Sequence, residues 1–401
     1  MDNTSILDTI IDNQKAEEVA RLDAVEIIDE IFSKLTERER DVLMRRYGLH
    51  GKGKETLETI GNVHNLTRER IRQIETSSIK KLQDLGTPSK HVSSLRKVIY
   101  QLMEEHGGLM EKSYLLDLLV GYSLNGLSKQ QSDEEIHKNY LNFLITKLLH
   151  DEFEEINNHK YFKESYRFKF QELSHLEELI EELLSEIKKL KQIYQTDKII
   201  NLIRNLKAYN KHEEKINIKG SLDVARILKS DLFEEDPKYI NNHKVIFSLL
   251  KAAKRIDQNK FGHWGAHNWR EIKPKTINDK INLVLKNHEE PMHFAEIAKA
   301  INKIGFDNKQ ANAATVHNEL ILDKKYILVG RGMYGLKEWG YKDGTVSDVI
   351  SEILNKNEAL SREEIIDEVL SRRLVKKATI ILALMNRGKF KKTDEKYTIN
   401  S

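Results

Sequence analysis

From about residue 91 onward, one order of secondary-structure elements recurs along the chain. Each copy has a helical pattern, two further helical patterns, and then two short strand-like stretches around a polar turn. The chain has 401 residues, more than one core usually organises, so this order predicts several small domains. The four copies contain the segments SLRKVIYQLMEE, KVIFSLLKAAKRI, INLVLKN and SDVISEILNK.

Three helices and a β-hairpin make up a winged helix-turn-helix. Two copies also share an aromatic–Gly pair followed by Trp, as Trp264–Gly265 with Trp269 and as Tyr334–Gly335 with Trp339. We therefore expect a mainly α protein. It would have a helix-turn-helix first, then an array of winged helix-turn-helix domains with small β-hairpin wings and a long connecting helix.

Helix starts are marked by Ser or Thr with Glu three residues later, the capping-box pattern, at Thr36, Ser132, Ser174 and Ser361. The connecting helix is predicted from apolar residues at heptad spacing over residues 173–194. Further leucines widen this stripe and favour packing onto a neighbouring domain of the same chain. A homodimer through residues 173–194 is the alternative.

Composition excludes several classes of site. The chain has no cysteine, so it has no disulfide, no cysteine-ligated zinc and no thiol nucleophile. The histidines show no metal-binding spacing, and GRGMYG at 330–335 lacks the lysine and the strand–loop–helix context of a phosphate loop. We expect no enzyme, no cofactor and no metal. Without a signal peptide or a membrane span, a cytoplasmic location is expected.

Charge is segregated along the chain. Residues 371–392 hold eight basic residues and no acidic one, whereas residues 1–33 hold nine acidic residues against two basic ones. Such blocks suggest that some parts meet a polyanion and others do not. In the first copy, residues 133–155 hold seven acidic residues, so we expect that surface to face protein and not DNA.

The last copy is expected to contact DNA without sequence preference. Its third helix is predicted over about 376–385, with Ile380, Ile381, Leu384 and Met385 buried. The alternative is a soluble basic domain. The predicted contacts to the DNA backbone are Arg372, Arg373, Lys376, Lys377, Lys389 and Lys391.

The segment NLTRERIRQIETSSIKKL, residues 65–82, predicts a helix with two distinct faces. Ile71, Ile74 and Leu82 fall on one side of the helical wheel, and Thr67 is the natural N-cap. Arg can bind guanine, Glu can accept from cytosine and Gln can pair with adenine, so the opposite face suits base reading in the major groove. A solvated helix with ion pairs is the alternative. The predicted base-reading residues are Arg68, Glu69, Arg72 and Gln73.

Residues 35–82 resemble region 4 of sigma-70 family RNA polymerase sigma factors, most specifically in LTRERIRQIE at 66–75. The resemblance implies binding to a −35 promoter element and to the flap of the polymerase β subunit. One departure is Ser77, where the family often has lysine. Only 34 residues precede Leu35, so we expect that no sigma region 2 is present. The backbone contacts expected in this segment are Arg45, Arg46, Thr67, Arg70 and Lys80.

Residues 277–341 resemble the helix-turn-helix module of the polymerase delta subunit, which Asx-like chromatin proteins and some restriction endonucleases share. The ending YILVGRGMYGLKEW carries this resemblance. Sigma region 4 joined to such a module looks like bacterial sigma-like helix-turn-helix proteins. The expected core residues are Pro291, Phe294, Ile297, Leu320, Tyr326, Leu328 and Trp339.

These patterns divide the chain into seven segments. An acidic lead-in precedes the sigma-like segment, a heptad helix follows the first winged helix, and a basic winged helix ends the chain. The expected segments are 1–34, 35–86, 91–168 (first winged helix), 171–195 (heptad helix), 197–273 (second winged helix), 275–341 (delta-like winged helix) and 345–400 (basic winged helix).

Together, the observations predict a sequence-specific DNA-binding transcription factor that resembles a sigma factor without region 2. Its expected partners are double-stranded DNA and RNA polymerase core, and no membrane. One alternative is a delta-like polymerase accessory protein with weak or non-specific DNA binding. Another is the DNA-binding component of a restriction or defence system.

Overall fold

The structure is a computed structural model. It forms two compact units: unit 1 comprises Met1–Gln258 and Gly262–His267, and unit 2 comprises Asn259–Phe261 and Asn268–Ser401. Within the described ranges, the strands form four small antiparallel sheets between many helices. The structure describes residues 24–86, 90–123, 131–225, 227–228, 230, 232–341, 344–357, 359–372, 375–386, 388–393 and 395–400.

Within the described residues, the first domain of unit 1 is the N-terminal helix-turn-helix, residues 24–86. The hydroxyl of Thr36 accepts the N–H of Glu39 at 3.4 Å, and the Glu39 carboxylate accepts the N–H of Thr36 at 2.8 Å, which confirms this capping box. Val42, Ile60, Ile71 and Ile74 form its core. Its helices are α1 (Ala24–Phe32), α2 (Glu37–Tyr47), α3 (Leu57–His64) and α4 (Arg68–Gly86).

The first winged helix follows. Its three strands pair antiparallel in the order β1–β3–β2, with Met110 opposite Tyr166. A π-helical turn, Leu144–Leu148, extends its third helix. Its elements are α5 (Lys90–Glu105), β1 (Leu109–Glu111), α6 (Lys112–Ser123), α7 (Gln131–Phe143), β2 (Phe153–Ile156) and β3 (Ser165–Phe168).

The connecting helix is α8 (Ser174–Leu190), and its apolar stripe is buried within unit 1 except at Leu190, which is 45% exposed. This burial favours packing within the chain over a homodimer. The helix starts at Ser174 after Leu173, with no side-chain cap, so the capping box expected at Ser174 was wrong. The buried residues of α8 are His175, Leu176, Leu179, Ile180, Leu183, Leu184 and Ile187.

The second copy departs most from the expected unit. Its described residues form five short helices before a two-stranded hairpin. Trp264 is buried in the second strand, and its indole N–H donates to Thr196 Oγ1 at 2.8 Å. Its elements are α9 (Thr196–Arg204), α10 (Lys207–Lys211), α11 (Glu213–Ile216), α12 (Pro237–Asn242), α13 (Lys244–Ala252), β4 (Ile256–Gln258) and β5 (Trp264–Ala266).

Unit 2 contains the third winged helix, with strand order β6–β8–β7. Tyr334 lies in its last strand, as Trp264 does in the second copy, so the shared aromatic–Gly pair has the same place in both hairpins. Its elements are α14 (Ile277–His288), β6 (Met292–His293), α15 (Phe294–Ile304), α16 (Ala313–Leu322), β7 (Tyr326–Gly330), β8 (Met333–Leu336) and a 3-10 turn (Lys337–Trp339).

The last winged helix has the same topology, with strand order β10–β11–β9. The Ser361 hydroxyl accepts the N–H of Glu364 at 3.3 Å, which confirms the capping box expected there. The side chain of Ser132 lies outside the described residues. The elements are α17 (Val346–Lys356), β9 (Leu360–Ser361), α18 (Arg362–Leu370), α19 (Lys377–Leu384), β10 (Phe390–Thr393) and β11 (Lys396–Ile399).

The mainly α architecture with winged helices and a long connecting helix is therefore confirmed, while the seven segment boundaries stay a prediction. Strands β1, β6 and β9 were not predicted, because two or three residues are too few to show alternation. The expected burial of two residues was wrong. Leu328 is 48% exposed, since Ile327 and Val329 beside it on the strand are buried instead, and Met385 is 68% exposed just after α19.

Candidate nucleic-acid interface

The turn between α3 and α4 sets the position of the candidate base-reading helix. Asn65 ends α3 in the left-handed conformation at φ 54°. A Cβ on Gly61 would lie 2.7 Å from the carbonyl oxygen of Leu66, so this close approach requires glycine. The hydroxyl of Thr67 accepts the N–H of Arg70 at 3.2 Å, which agrees with its expected capping role.

The face of α4 that points to solvent is polar. Arg68, Glu69, Arg72 and Gln73 are all exposed, as are Thr76 and Lys80. On the opposite side, the isoleucines and leucine expected to point inward are buried, with Ile71 and Leu82 at 0% exposure. The helical wheel therefore predicted both faces of this helix correctly.

The exposed side chains on α4 are joined in a network centred on Glu69. Arg72 donates to both carboxylate oxygens of Glu69, at 2.8 and 2.7 Å, and Gln73 donates to it at 3.4 Å. Arg70 donates to Gln73 Oε1 at 3.1 Å. The hydrogen bonds from Arg72 lower the pKa of Glu69, so this carboxylate stays charged. The network orients the Arg72 guanidinium in advance. The Arg72 and Glu69 side chains are 57% and 59% exposed, so their ion pair is weak and easily exchanged for contacts with a ligand.

Of the expected backbone contacts, Arg45 and Arg46 are already paired. Arg45 bridges Asp41 at 2.9 Å and Glu55 at 3.1 Å. Arg46 donates to the Glu55 carbonyl at 3.2 Å and lies 3.5 Å from the Glu75 carboxylate. These carboxylates reduce the positive charge that a phosphate would meet at both arginines. Lys80 is exposed and makes no ion pair with any residue that the structure describes.

The basic residues of the last winged helix that were expected to contact the DNA backbone fall into two groups. Arg372 pairs with Glu368 at 2.5 Å, and Lys389 pairs with Asp348 at 3.0 Å. Hydrogen bonds at the N-terminus of α17, from the backbone and hydroxyl of Thr345, lower the pKa of Asp348 and keep it charged. Lys376, Lys377 and Lys391 are exposed, whereas Arg373 lies outside the described residues.

Sequence reasoning missed what covers the back of the N-terminal helix-turn-helix. The third helix of the first winged helix packs there, and the ring of Phe143 lies 5.8 Å from that of Phe32 and 4.9 Å from that of Tyr47. The Asn139 side chain donates to the Gly48 carbonyl at 3.3 Å. The element that could enter DNA in a winged helix therefore contacts protein of the same chain here.

Tyr47 connects this contact to α4. Its hydroxyl donates to the Glu75 carboxylate at 2.7 Å, and Lys147 of the π-helical turn lies 5.4 Å from the centre of its ring. Burial raises the pKa of Tyr47, so the hydroxyl remains a donor. No local sequence pattern marks Tyr47, because its partners lie about 28 and 100 residues away along the chain.

The described residues offer little that resembles a catalytic centre. Among them, no group of three or more His, Asp or Glu side chains could hold a metal ion. In the sequence, Asp257, Glu271 and Lys273 follow the loose order of a D…ExK nuclease motif. In the structure, Asp257 is paired with Lys163 at 2.6 Å. None of the helices in the described part of the chain is long and apolar enough to cross a bilayer.

Comparison with known proteins bears on this N-terminal segment. The family model for sigma-70, region 4, matches residues 31–84. The sigma factor SigA1 of Synechococcus elongatus is 49% identical over 67 residues, 17% of each chain. SigA of Nostoc sp. is 50% identical over 58 residues, 14% of this chain and 15% of its own. RpoS of Coxiella burnetii is 36% identical over 84 residues, 20% of this chain and 24% of its own.

The chain thus spans less than a quarter of the length of these sigma factors. No solved structure matches the chain. The matched residues include α2, α3 and α4 as far as Asp84, so the resemblance to sigma region 4 is confirmed for this segment. The comparisons lend no support to the second resemblance, over 277–341, which stays an interpretation of the sequence.

Proposed function

We propose that the protein is a sigma-like, sequence-specific DNA-binding transcription factor that recognises a −35-like promoter element through α4. One observation carries the proposal: Arg68, Glu69, Arg72 and Gln73 share one exposed face of the helix that follows the turn, within the segment similar to sigma region 4. This arrangement suits insertion of the N-terminal half of α4 into the major groove.

Each side chain has a distinct role in this scheme. Arg68 and Arg72 donate to guanine O6 and N7, Glu69 accepts from the cytosine amine, and Gln73 pairs with adenine. Arg72 exchanges at least one of its hydrogen bonds to Glu69 for the base. The contacts to the DNA backbone come from Lys80, Arg70 and the N-terminal end of α4 at Thr67. Arg45 and Arg46 contribute less, because carboxylates pair with both.

We also propose a contact with RNA polymerase core, because the curated relatives are named RNA polymerase sigma factors. The expected site on the polymerase is the β flap. Phe143 of the first winged helix covers part of the N-terminal helix-turn-helix. A polymerase contact must therefore use another face of this segment or displace the first winged helix. Affinity capture with purified core polymerase, with and without the first winged helix, tests this contact.

The DNA-reading proposal is tested by selecting a preferred site from randomised duplexes and then measuring affinity for that site and for a random duplex. Arg72→Ala should cost about 1–3 kcal/mol on the preferred site and much less on random DNA. Arg38→Ala removes the same charge from an exposed position on α2 and serves as the matched control. Equal losses on both DNAs would mean that Arg72 contacts phosphate only, and base reading by α4 would be wrong.

A further inference from the structure

Helix α19, the third helix of the last winged helix, exposes apolar side chains to solvent. Leu382 is 69% exposed and Met385, directly after the helix, is 68% exposed. Ala378 is also exposed and lies on the same side, at the spacing i, i+4, i+7. These three side chains form what we term the α19 stripe: Ala378, Leu382 and Met385.

The domain core does not need the α19 stripe. Ile380 and Leu384, on the other side of the helix, are 0% and 4% exposed and pack with Phe390 and the aliphatic residues of α17 and α18. A helix with apolar residues on all sides is normally covered on all sides. Among the residues that the structure describes, no other element covers the α19 stripe, which is therefore an exposed apolar surface.

Positive charge lies at both ends of the stripe. Lys376 and Lys377 are exposed at the start of α19, and Lys389 follows its end. Residues 371–392 contain no acidic residue at all. Lys389 is partly neutralised by Asp348 at 3.0 Å, so the stronger positive end is the one at Lys376 and Lys377.

We propose that the α19 stripe docks an acidic, amphipathic helix of a protein partner. Leu382 and Met385 would contact the apolar side of that helix, and Lys376 and Lys377 would face its carboxylates. The flanking lysines suit the sequence-independent phosphate contacts that the sequence predicts for this domain. DNA is nevertheless the less suitable ligand of the stripe itself, since α19 lacks the Arg, Glu, Asn and Gln side chains that read base edges, and phosphates gain nothing from apolar side chains. Proteins that recognise an amphipathic helix hold its apolar side with apolar anchors, the part that Leu382 and Met385 would take here.

The test uses the full-length chain and a fluorescent synthetic peptide of about 18 residues, with Leu on one helical face and Glu on the other. Two altered peptides separate the interactions: in one, Lys replaces every Glu, and in the other, Ser replaces every Leu. A random-sequence DNA duplex serves as the competing ligand. We expect binding of the first peptide only.

Variants then locate the site. Leu382→Gln and Met385→Gln should each weaken peptide binding about tenfold or more and leave duplex binding unchanged. Ile321→Gln changes a side chain that is 62% exposed on the corresponding helix α16, and it should have no effect. Lys376→Gln and Lys377→Gln should each weaken peptide binding about two- to fivefold, and less at high salt. Lys356→Gln, on α17, is their control.

Two results would overturn the proposal. The first is that the peptide with Leu and Glu faces does not bind, or that it binds the Leu382→Gln variant as tightly as the unchanged chain. The second is that the Lys376 and Lys377 changes flatten the salt dependence of duplex binding while the Leu382 change affects neither ligand. The two lysines would then contact DNA phosphates and not a protein helix. Circular dichroism and thermal unfolding establish that each variant is folded. Base reading by α4 is independent of either outcome.

Discussion

Helices α4 and α19 each form the second helix of a helix-turn-helix, and they present opposite chemistry to solvent. The outer face of α4 carries Arg, Glu and Gln, and its apolar residues up to Leu82 are buried or half-buried. The outer face of α19 carries Leu382 and is followed by Met385, with lysines confined to the ends. The same topology therefore suits base edges in one case and an apolar protein surface in the other.

The difference arises from what lies behind each helix. The apolar side of α4 is covered by α2 and α3 and, near its C-terminal end, by the first winged helix, whose Lys147 carbonyl accepts from Gln83 at 2.7 Å. Helix α19 is apolar on two sides, and its own domain covers only one. A helix-turn-helix position by itself thus says little about the ligand, and the exposed side chains decide it.

The largest expected effect concerns the support behind α4. Phe143→Ala removes a ring that is 1% exposed and lies against Phe32 and Tyr47, so it should lower the free energy of unfolding by about 3–5 kcal/mol. Phe170→Ala changes a ring that is 85% exposed and should cost little. Urea unfolding of both variants measures the difference. Equal, small losses would show that the first winged helix does not support this segment.

The hydrogen bond from Tyr47 to Glu75 is a more specific test of the same support. Tyr47→Phe leaves the ring and removes a donor to a half-buried carboxylate, which should cost about 1.5–3 kcal/mol of stability. Tyr100→Phe, at a 46% exposed residue, is the control and should be neutral. A cycle with Glu75→Gln isolates the pair. Additive effects in that cycle would rule out a contribution from this bond.

Glu69 distinguishes a base-reading face from a merely basic one. Glu69→Ala should reduce discrimination at one base pair by about 1 kcal/mol. It should also strengthen binding to random DNA, because a carboxylate near phosphates is removed. Glu37→Ala, which removes an exposed acid from the start of α2, controls for net charge. If Glu69→Ala retains the preferred sequence at every position, as the Glu37→Ala control should, Glu69 reads no base.

The smallest expected effects are those of lysine substitutions, which compare the two helices directly. Lys80→Gln on α4 should lower the slope of log affinity against log salt by about 0.9, the value for one lost phosphate contact. Lys377→Gln on α19 should leave that slope unchanged if α19 faces protein. Salt titrations with one duplex compare both variants. If the slope falls for Lys377→Gln as well, both helices contact DNA phosphates.

The sequence alone determined the features that depend on neighbouring residues. Helical periodicity separated Ile71, Ile74 and Leu82 from the outward Arg72 and Gln73, because residues three and four apart share a face. The capping boxes at Thr36 and Ser361 and the recurring order of helices and hairpins are local patterns in the same sense. The nature of the candidate base-reading face could therefore be predicted without coordinates.

The tertiary structure decided what depends on residues far apart in the chain. The wheel could not tell which apolar side of α19 faces the core, so Met385 was placed inside while it is exposed. Nothing local shows that Glu55 neutralises Arg45, or that Phe143 covers the back of the N-terminal helix-turn-helix. Strand β9 is two residues long and forms only because β11 lies beside it. Such pairings depend on how the chain brings distant segments together, which local periodicity does not record.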